Sequence, residues 1–375
     1  MYLPEVLACA TLLASAISIS AQMETRNAQL GPRPFYLVEK LVPSALKAEL
    51  ASCAESTDVY APSDFSLSYL AAAHMGAGIL ECDVTFTSDG ELVCRHAQCD
   101  LHTATNILET SLAANCTVPP KVNGAGKLLN ADEVKCCSSD LTLAEFKSLE
   151  GKMDAANRNA RSIAGYLDGT SRYLTDLYAT VGKLLSASEA AEMFEALGRK
   201  HTPELKGGDP EAKISISDVF GSQENYAQAL IDVLEAVGVD PEDVWLQSFN
   251  LDDVLYWVEE TPGFGEQAVF LDGRNVSELA SNPPSSAEFE ALVENGANII
   301  APPMPVLLTT DASDNIVPSV YAERASDAGL DIISWTIERS GPIIDGVPQG
   351  GNFYYQATLA ALENDGEILT TIDVL

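Results

Sequence analysis

Positive charge is scarce in this chain. Its 375 residues carry 21 Lys and Arg against 55 Asp and Glu, a formal net charge of −34 at pH 7. Such a surface repels polyanions, which argues against nucleic acid as a partner, and it raises the local concentration of divalent cations. Several signatures are missing as well. No Cys-x-x-Cys is present, so the cysteine spacings do not make a zinc site. No Gly-x-Gly-x-x-Gly follows a strand pattern, so a dinucleotide fold lacks its fingerprint. There is no Gly-x-Ser-x-Gly and no His-Glu-x-x-His. Gly124-Ala125-Gly126-Lys127 resembles part of a P-loop, but Lys121 and Leu128 stand where glycine and Ser or Thr belong. Long apolar runs are missing except at the N-terminus, where Val6 to Ile19 is too short to span a bilayer comfortably. No transmembrane segment is expected.

What is present points to a globular protein, since 46% of the residues are hydrophobic. The apolar run at the N-terminus is followed by small residues at Ser18, Ser20 and Ala21, which reads as a secretory signal peptide over residues 1–21. Cys9 leaves with it. Of the seven remaining cysteines, Cys82, Cys94, Cys99, Cys116, Cys136 and Cys137 cluster, as disulfides around one loop region would. The odd count leaves one thiol unpaired, with a buried residue such as Cys82 as the candidate. Asn115-Cys116-Thr117 and Asn275-Val276-Ser277 are glycosylation sequons consistent with secretion.

The densest chemistry lies between Leu80 and His96, LECDVTFTSDGELVCRH. It reads as a strand, a tight turn at Asp89-Gly90 and a second strand. Glu81 and Asp83 are two apart and project from one face. A two-residue loop would pair Ser88 with Glu91 and set Asp83 opposite His96. Carboxylate oxygens suit a hard divalent cation, Mg²⁺ or Ca²⁺, and an imidazole suits proton transfer. Ile79, Leu80, Val84 and Phe86 make the strand apolar, so charges within it need a partner or a metal.

A poorly periodic region at about 97–180 reads as an insertion, with a short helix at Leu141 to Leu149. From Leu184 onward strands and helices alternate. Helices are expected after the capping box Ser186–Glu189, from Gln223 to Val237 closed by Gly238, and over Leu251–Glu260, Ser286–Asn295, Val320–Ala328 and Tyr354–Glu363. Strands are expected near residues 79–86, 202–206, 244–249, 267–271, 298–301 and 331–337. This alternation implies β-α units and a parallel sheet. Glu204, Lys206, Gln247, Phe249, Trp335 and Thr336 fall at strand carboxyl ends, where (β/α) barrels build their sites. An open doubly wound sheet is the alternative. Asp311 to Asn315 resembles an EF-hand start without its glycine. His74, His102 and His201 read as surface or packing residues.

The segment MGAGILECDVTFTSDGELVCRH resembles the glycerophosphodiester phosphodiesterases, most closely their long secreted eukaryotic branch, and CDLHTATNIL, CCSSDLTLAEFKSLEGKMD, TPELK, VWLQSFNLDDVLYW and ISWTIE extend the likeness. The resemblance implies a TIM-type (β/α)₈ barrel over residues 35–375 with an inserted small domain. It implies metal-dependent cleavage of glycerophosphodiesters to glycerol 3-phosphate and an alcohol. Carried over by motif, Glu81, Asp83 and Glu204 are metal ligands, His96 is a catalytic histidine, Lys206 holds a phosphoryl oxygen and Trp335 lines the substrate pocket. Two departures stand out. The His-Arg-Gly and Pro-Glu-x-Thr stretch is absent, because Ser63-Asp64-Phe65-Ser66 runs directly into Leu67. The sequence also stops at Asp373-Val374-Leu375, where the family continues into a last strand. The expectation is therefore a barrel with its first and eighth strands truncated and with reduced activity. A non-catalytic metal- or phosphate-binding homologue and a phospholipase-D-like lyase are the alternatives.

Overall fold

The computed structural model describes residues 40–48, 67–74, 76–170, 182–336, 343–344, 346–349, 351, 353–362 and 364–374. The signal-peptide region, Cys53, the Ser63–Ser66 junction and Ile337 lie outside the described residues. Nine short strands carry the architecture: β1 Ile79–Leu80, β2 Asp83–Phe86, β3 Leu92–Cys94, β4 Lys200–His201, β5 Glu204–Leu205, β6 Gln247–Ser248, β7 Val269–Leu271, β8 Ile299–Ala301 and β9 Asp331–Ile332. Seven of them form one sheet in the order β9-β8-β7-β6-β5-β2-β3. All neighbours in it are parallel except β2 and β3, which form an antiparallel hairpin. β1 pairs in parallel with β4, and hydrogen bonds from Thr202 N–H to Leu80 O and from Glu204 N–H to Cys82 O run that pair into β2 and β5.

The register aligns one row of residues across the sheet. Asp83 lies beside Glu204, Glu204 beside Gln247, Gln247 beside Val269, Val269 beside Ile299 and Ile299 beside Asp331. Register partners project from one face. On that face Val269, Leu271, Ile299 and Ala301 form a small core with Trp245 and Trp335. The other face carries Val84, Phe86, Leu205 and Leu246, which pack against helix residues Ala190, Phe194, Leu230, Val254 and Trp257. Ile300 likewise meets Phe289, Tyr321 and Ala325. Among the described residues the helices thus cover one face, as in a (β/α) barrel, whereas a doubly wound sheet carries them on both.

Local chemistry explains the helices. Ser186 and Glu189 exchange hydrogen bonds to open the helix Ala187–Ala196. Ser222 caps Gln223–Val237, and Gly238 closes it at φ 84°, where a side chain would be strained. Within that helix Tyr226, Ala227, Leu230, Ile231 and Leu234 recur at helical spacing and are buried. Asn250 caps Leu251–Glu260, whose Trp257 is fully buried and donates from Nε1 to Ala227 O at 3.2 Å.

Several expectations are corrected. Strand 331–337 keeps ladder geometry only over Asp331–Ile332, after which Trp335 makes a lone bridge to Pro303. The helix expected over Tyr354–Glu363 is not formed. Thr358, Ala361 and Leu362 donate three residues back, to Tyr355, Thr358 and Leu359, so short 3₁₀ turns take its place. An α-helix forms later, at Ile368–Val374. Asp311 is no cation loop: its carboxylate accepts from Ser313, Asn315 and the Asn315 amide, closing the turn between Leu308–Thr310 and Ile316–Pro318.

The region read from sequence as an insertion packs around a core of Leu101, Ile107, Leu141, Phe146 and Tyr166, joined by Val93 and Leu184 from either side. Disulfides Cys99–Cys137 and Cys116–Cys136 staple it. Cys82, expected to be the free thiol, is bonded to Cys94. Cys82 and Cys94 both face the helix layer, a proximity visible only once the hairpin register is known. Replacing both by serine opens a bridge spanning 12 residues. The unfolding free energy should fall by roughly 2–4 kcal/mol in urea titration; an unchanged midpoint would show that the bridge contributes nothing.

Candidate metal and phosphodiester site

The site grows from the hairpin and the two strands beside it. Glu81 precedes β2, Asp83 opens it, and Glu204 opens β5 next door. One carboxylate oxygen from each lies within 4.8 Å of the others. Glu81 stands at the open side of this cluster and Glu204, 5% exposed, at its buried side. Gln247, one strand further on, donates from Nε2 to Glu81 Oε1 at 3.0 Å and fixes its orientation. Lys206 places Nζ 2.8 Å from Asp83 Oδ1 and 2.7 Å from Glu204 Oε2. Glu204 Oε1 is buried without a hydrogen-bond partner. A buried, unpaired carboxylate oxygen is costly, and its cost is relieved by a cation. The donor set, three carboxylates and no sulfur or imidazole, fits a hard divalent ion such as Mg²⁺ or Ca²⁺.

Burial pushes the Glu204 carboxyl up to about 7, with Lys206 opposing and Asp83 reinforcing the shift. A carboxyl whose pKa rises on folding holds its proton in the native state after the unfolded chain has lost it. Stability therefore falls as pH rises from the ordinary glutamate value of about 4.5 through about 7. In EDTA, Glu204→Gln should remove this component. The change in unfolding free energy between about pH 5 and about pH 8 should then differ from wild type by on the order of 2 kcal/mol. Identical pH profiles would mean that Glu204 is not desolvated.

The hairpin register differs from the expected one. Val84 pairs with Cys94, Thr85 with Val93 and Phe86 with Leu92. Thr87, not Ser88, faces Glu91, and the loop is Ser88-Asp89-Gly90 with Gly90 at φ 85°. This is a type I turn with a glycine bulge, one residue longer than the tight loop that Asp-Gly suggests. As a result Arg95 stands opposite Asp83, its N–H donating to Asp83 O at 2.7 Å. His96 sits at the following bend, exposed, and makes no hydrogen bond to the described residues.

At neighbouring strand ends, Phe249 and Trp335 meet edge to face at 5.7 Å, and Trp335 Nε1 donates to Ala301 O at 2.9 Å. The Phe249 ring covers Gly273, where an added Cβ would lie 2.7 Å from it. Two other histidines are packing residues: His201 is buried against Glu195, and buried His102 accepts from Cys136 N–H. Sequence reasoning missed Arg95, Gln247's role as an orienting donor and Tyr69. The phenol of Tyr69 is pushed up by burial, with Asp83, Arg95 and Glu81 all within electrostatic reach. The Arg95 signal was its place in the hairpin, readable only with the correct loop length.

Fold and site together define an α/β protein of barrel type with an acidic cluster able to coordinate a divalent cation. The chain belongs to the glycerophosphoryl diester phosphodiesterase family, whose model matches residues 64–369. A fungal relative from Arthroderma benhamiae, named "Extracellular protein", is 41% identical over 224 residues, covering 60% of this chain and 89% of the relative. Among solved structures, a protein from Silicibacter pomeroyi named as a glycerophosphoryl diester phosphodiesterase is 18% identical with a TM-score of 0.46, covering 70% of this chain and 74% of that one. An Oleispira antarctica phosphodiesterase in complex with sn-glycerol-3-phosphate is 18% identical with a TM-score of 0.42, covering 81% and 88%. No helix among the described residues is long and apolar enough to cross a membrane.

Proposed function

We infer that this protein is a secreted, metal-dependent hydrolase of small glycerophosphodiesters, releasing glycerol 3-phosphate and an alcohol. The observation that carries the reading is the carboxylate cluster of Glu81, Asp83 and Glu204 where the adjacent parallel strands β2 and β5 begin, with one buried oxygen left unpartnered. Family membership supports the reaction class, and the extracellular name of the fungal relative supports secretion. Glu81, Asp83 and Glu204 would hold Mg²⁺ or Ca²⁺, which when bound neutralises charge on the phosphoryl oxygens. Gln247 holds Glu81 in place. Lys206 draws Asp83 and Glu204 together through its ammonium, which it also offers to a phosphoryl oxygen. His96 delivers a proton to the leaving alkoxide. Trp335 walls the substrate pocket. The absent His-Arg-Gly stretch removes one acid–base partner, so turnover is low for the family.

A second reading, a non-catalytic metal- or phosphate-binding homologue, draws on the same absence and on the Lys206 ammonium already seated between two carboxylates. Incubation with glycerophosphocholine, with choline and glycerol 3-phosphate both quantified, separates the two. Equal amounts of both products support hydrolysis. A cyclic phosphate with choline would indicate a lyase, and no product would leave the binding role.

A further inference from the structure

We propose that Arg95 is an anion-binding residue of this site, its guanidinium aimed by Asp100 at a phosphoryl oxygen of the substrate. This rests on the phosphodiesterase reading and adds a residue to it. Arg95 and Asp83 are register partners across the β2–β3 hairpin, joined by the 2.7 Å bond from Arg95 N–H to Asp83 O. Partners in an antiparallel pair project from the same face, so the guanidinium leaves the sheet on the side that carries the carboxylates. Its side chain is only 14% exposed.

Asp100 grips it through a fork. Arg95 Nε donates to Asp100 Oδ1 at 3.0 Å, and Nη2 donates to Oδ2 at 2.8 Å. That fixes the plane of the group and leaves Nη1 with no hydrogen bond to the described residues. The buried phenol of Tyr69 is within electrostatic reach of Asp83, Arg95 and Glu81.

Arg95 is itself paired with Asp100 and so adds no net charge to the site. What it offers an arriving phosphodiester is direction: a guanidinium fixed in its plane, with the Nη1 donors not used in the fork. A buried, pre-oriented guanidinium supplies a directed, charge-assisted donor there.

The test is calorimetric titration of glycerol 3-phosphate into the Mg²⁺-loaded protein, for wild type, Arg95→Lys, Arg95→Met and Asp100→Asn. Arg95→Met should weaken binding roughly 10- to 100-fold, and Arg95→Lys less, because the charge survives without the fork. Asp100→Asn, which releases the fork, should fall between wild type and Arg95→Met. Mg²⁺ affinity and melting temperature should stay near wild type in Arg95→Lys. Unchanged glycerol 3-phosphate affinity in the Arg95 variants would overturn the proposal. So would loss of affinity only in step with metal uptake and folding, since Arg95 would then be structural. Absence of binding by wild type would overturn it too. If wild type binds glycerol 3-phosphate through Arg95 yet hydrolyses nothing, the hydrolase reading fails and this assignment stands.

Discussion

Replacing Asp83 by alanine should lower turnover of glycerophosphocholine by about 10³-fold or more, the scale of losing a cation that stabilises charge on a phosphoryl group. Asp83 is the hub of the cluster. It is the register partner of Glu204, one of the two carboxylates held by Lys206, and the residue facing Arg95. Its loss leaves Glu81 and Glu204 with too few oxygens to hold a hard cation. EDTA should lower wild-type activity as far as the substitution does, and should add little in the variant. Wild-type turnover in Asp83→Ala would place the chemistry elsewhere on the protein.

The second large effect is expected at His96. Removing a general acid typically forfeits roughly 10²–10⁴-fold, and the neighbouring His102 is buried, its Nδ1 accepting from Cys136 N–H, so it does not share the task. His96→Ala should therefore cut kcat for glycerophosphocholine by that range while leaving metal uptake unaltered. The drop should shrink for a substrate analogue whose leaving group needs no proton, such as a 4-nitrophenyl ester. An equal loss with both substrates would make His96 a binding residue and not the acid. His96 stands at a bend after β3, exposed and unengaged among the described residues, as a group that must reach substrate requires.

The placement of the cluster was legible in the sequence because it depends on parity alone. Glu81 and Asp83 share a face whatever the loop length, and Pro203-Glu204-Leu205-Lys206 enters a strand between apolar neighbours. The helices were legible where their ends carry chemistry: Ser186 with Glu189, Ser222, Asn250 and Gly238 all cap as their types dictate. Register was not legible, because Asp89-Gly90 serves a two-residue or a three-residue loop equally, and the longer loop moves every cross-strand partner by one. That single residue replaced His96 by Arg95 opposite Asp83 and hid the Cys82–Cys94 bridge. At Tyr354–Glu363 the buried residues Tyr355, Thr358 and Leu362 fit helical and 3₁₀ spacing alike, and tertiary packing chose the tighter turn.

The most direct test is a calorimetric titration of Mg²⁺ and of Ca²⁺ into the wild type and into Glu81→Ala/Asp83→Ala. With 55 acidic residues on the chain, weak background binding is certain and the variant supplies the control. One saturable site present in wild type and lost in the double variant, above a background common to both, is the expected result. Equal uptake by the two proteins would contradict the assignment of these carboxylates as the metal centre.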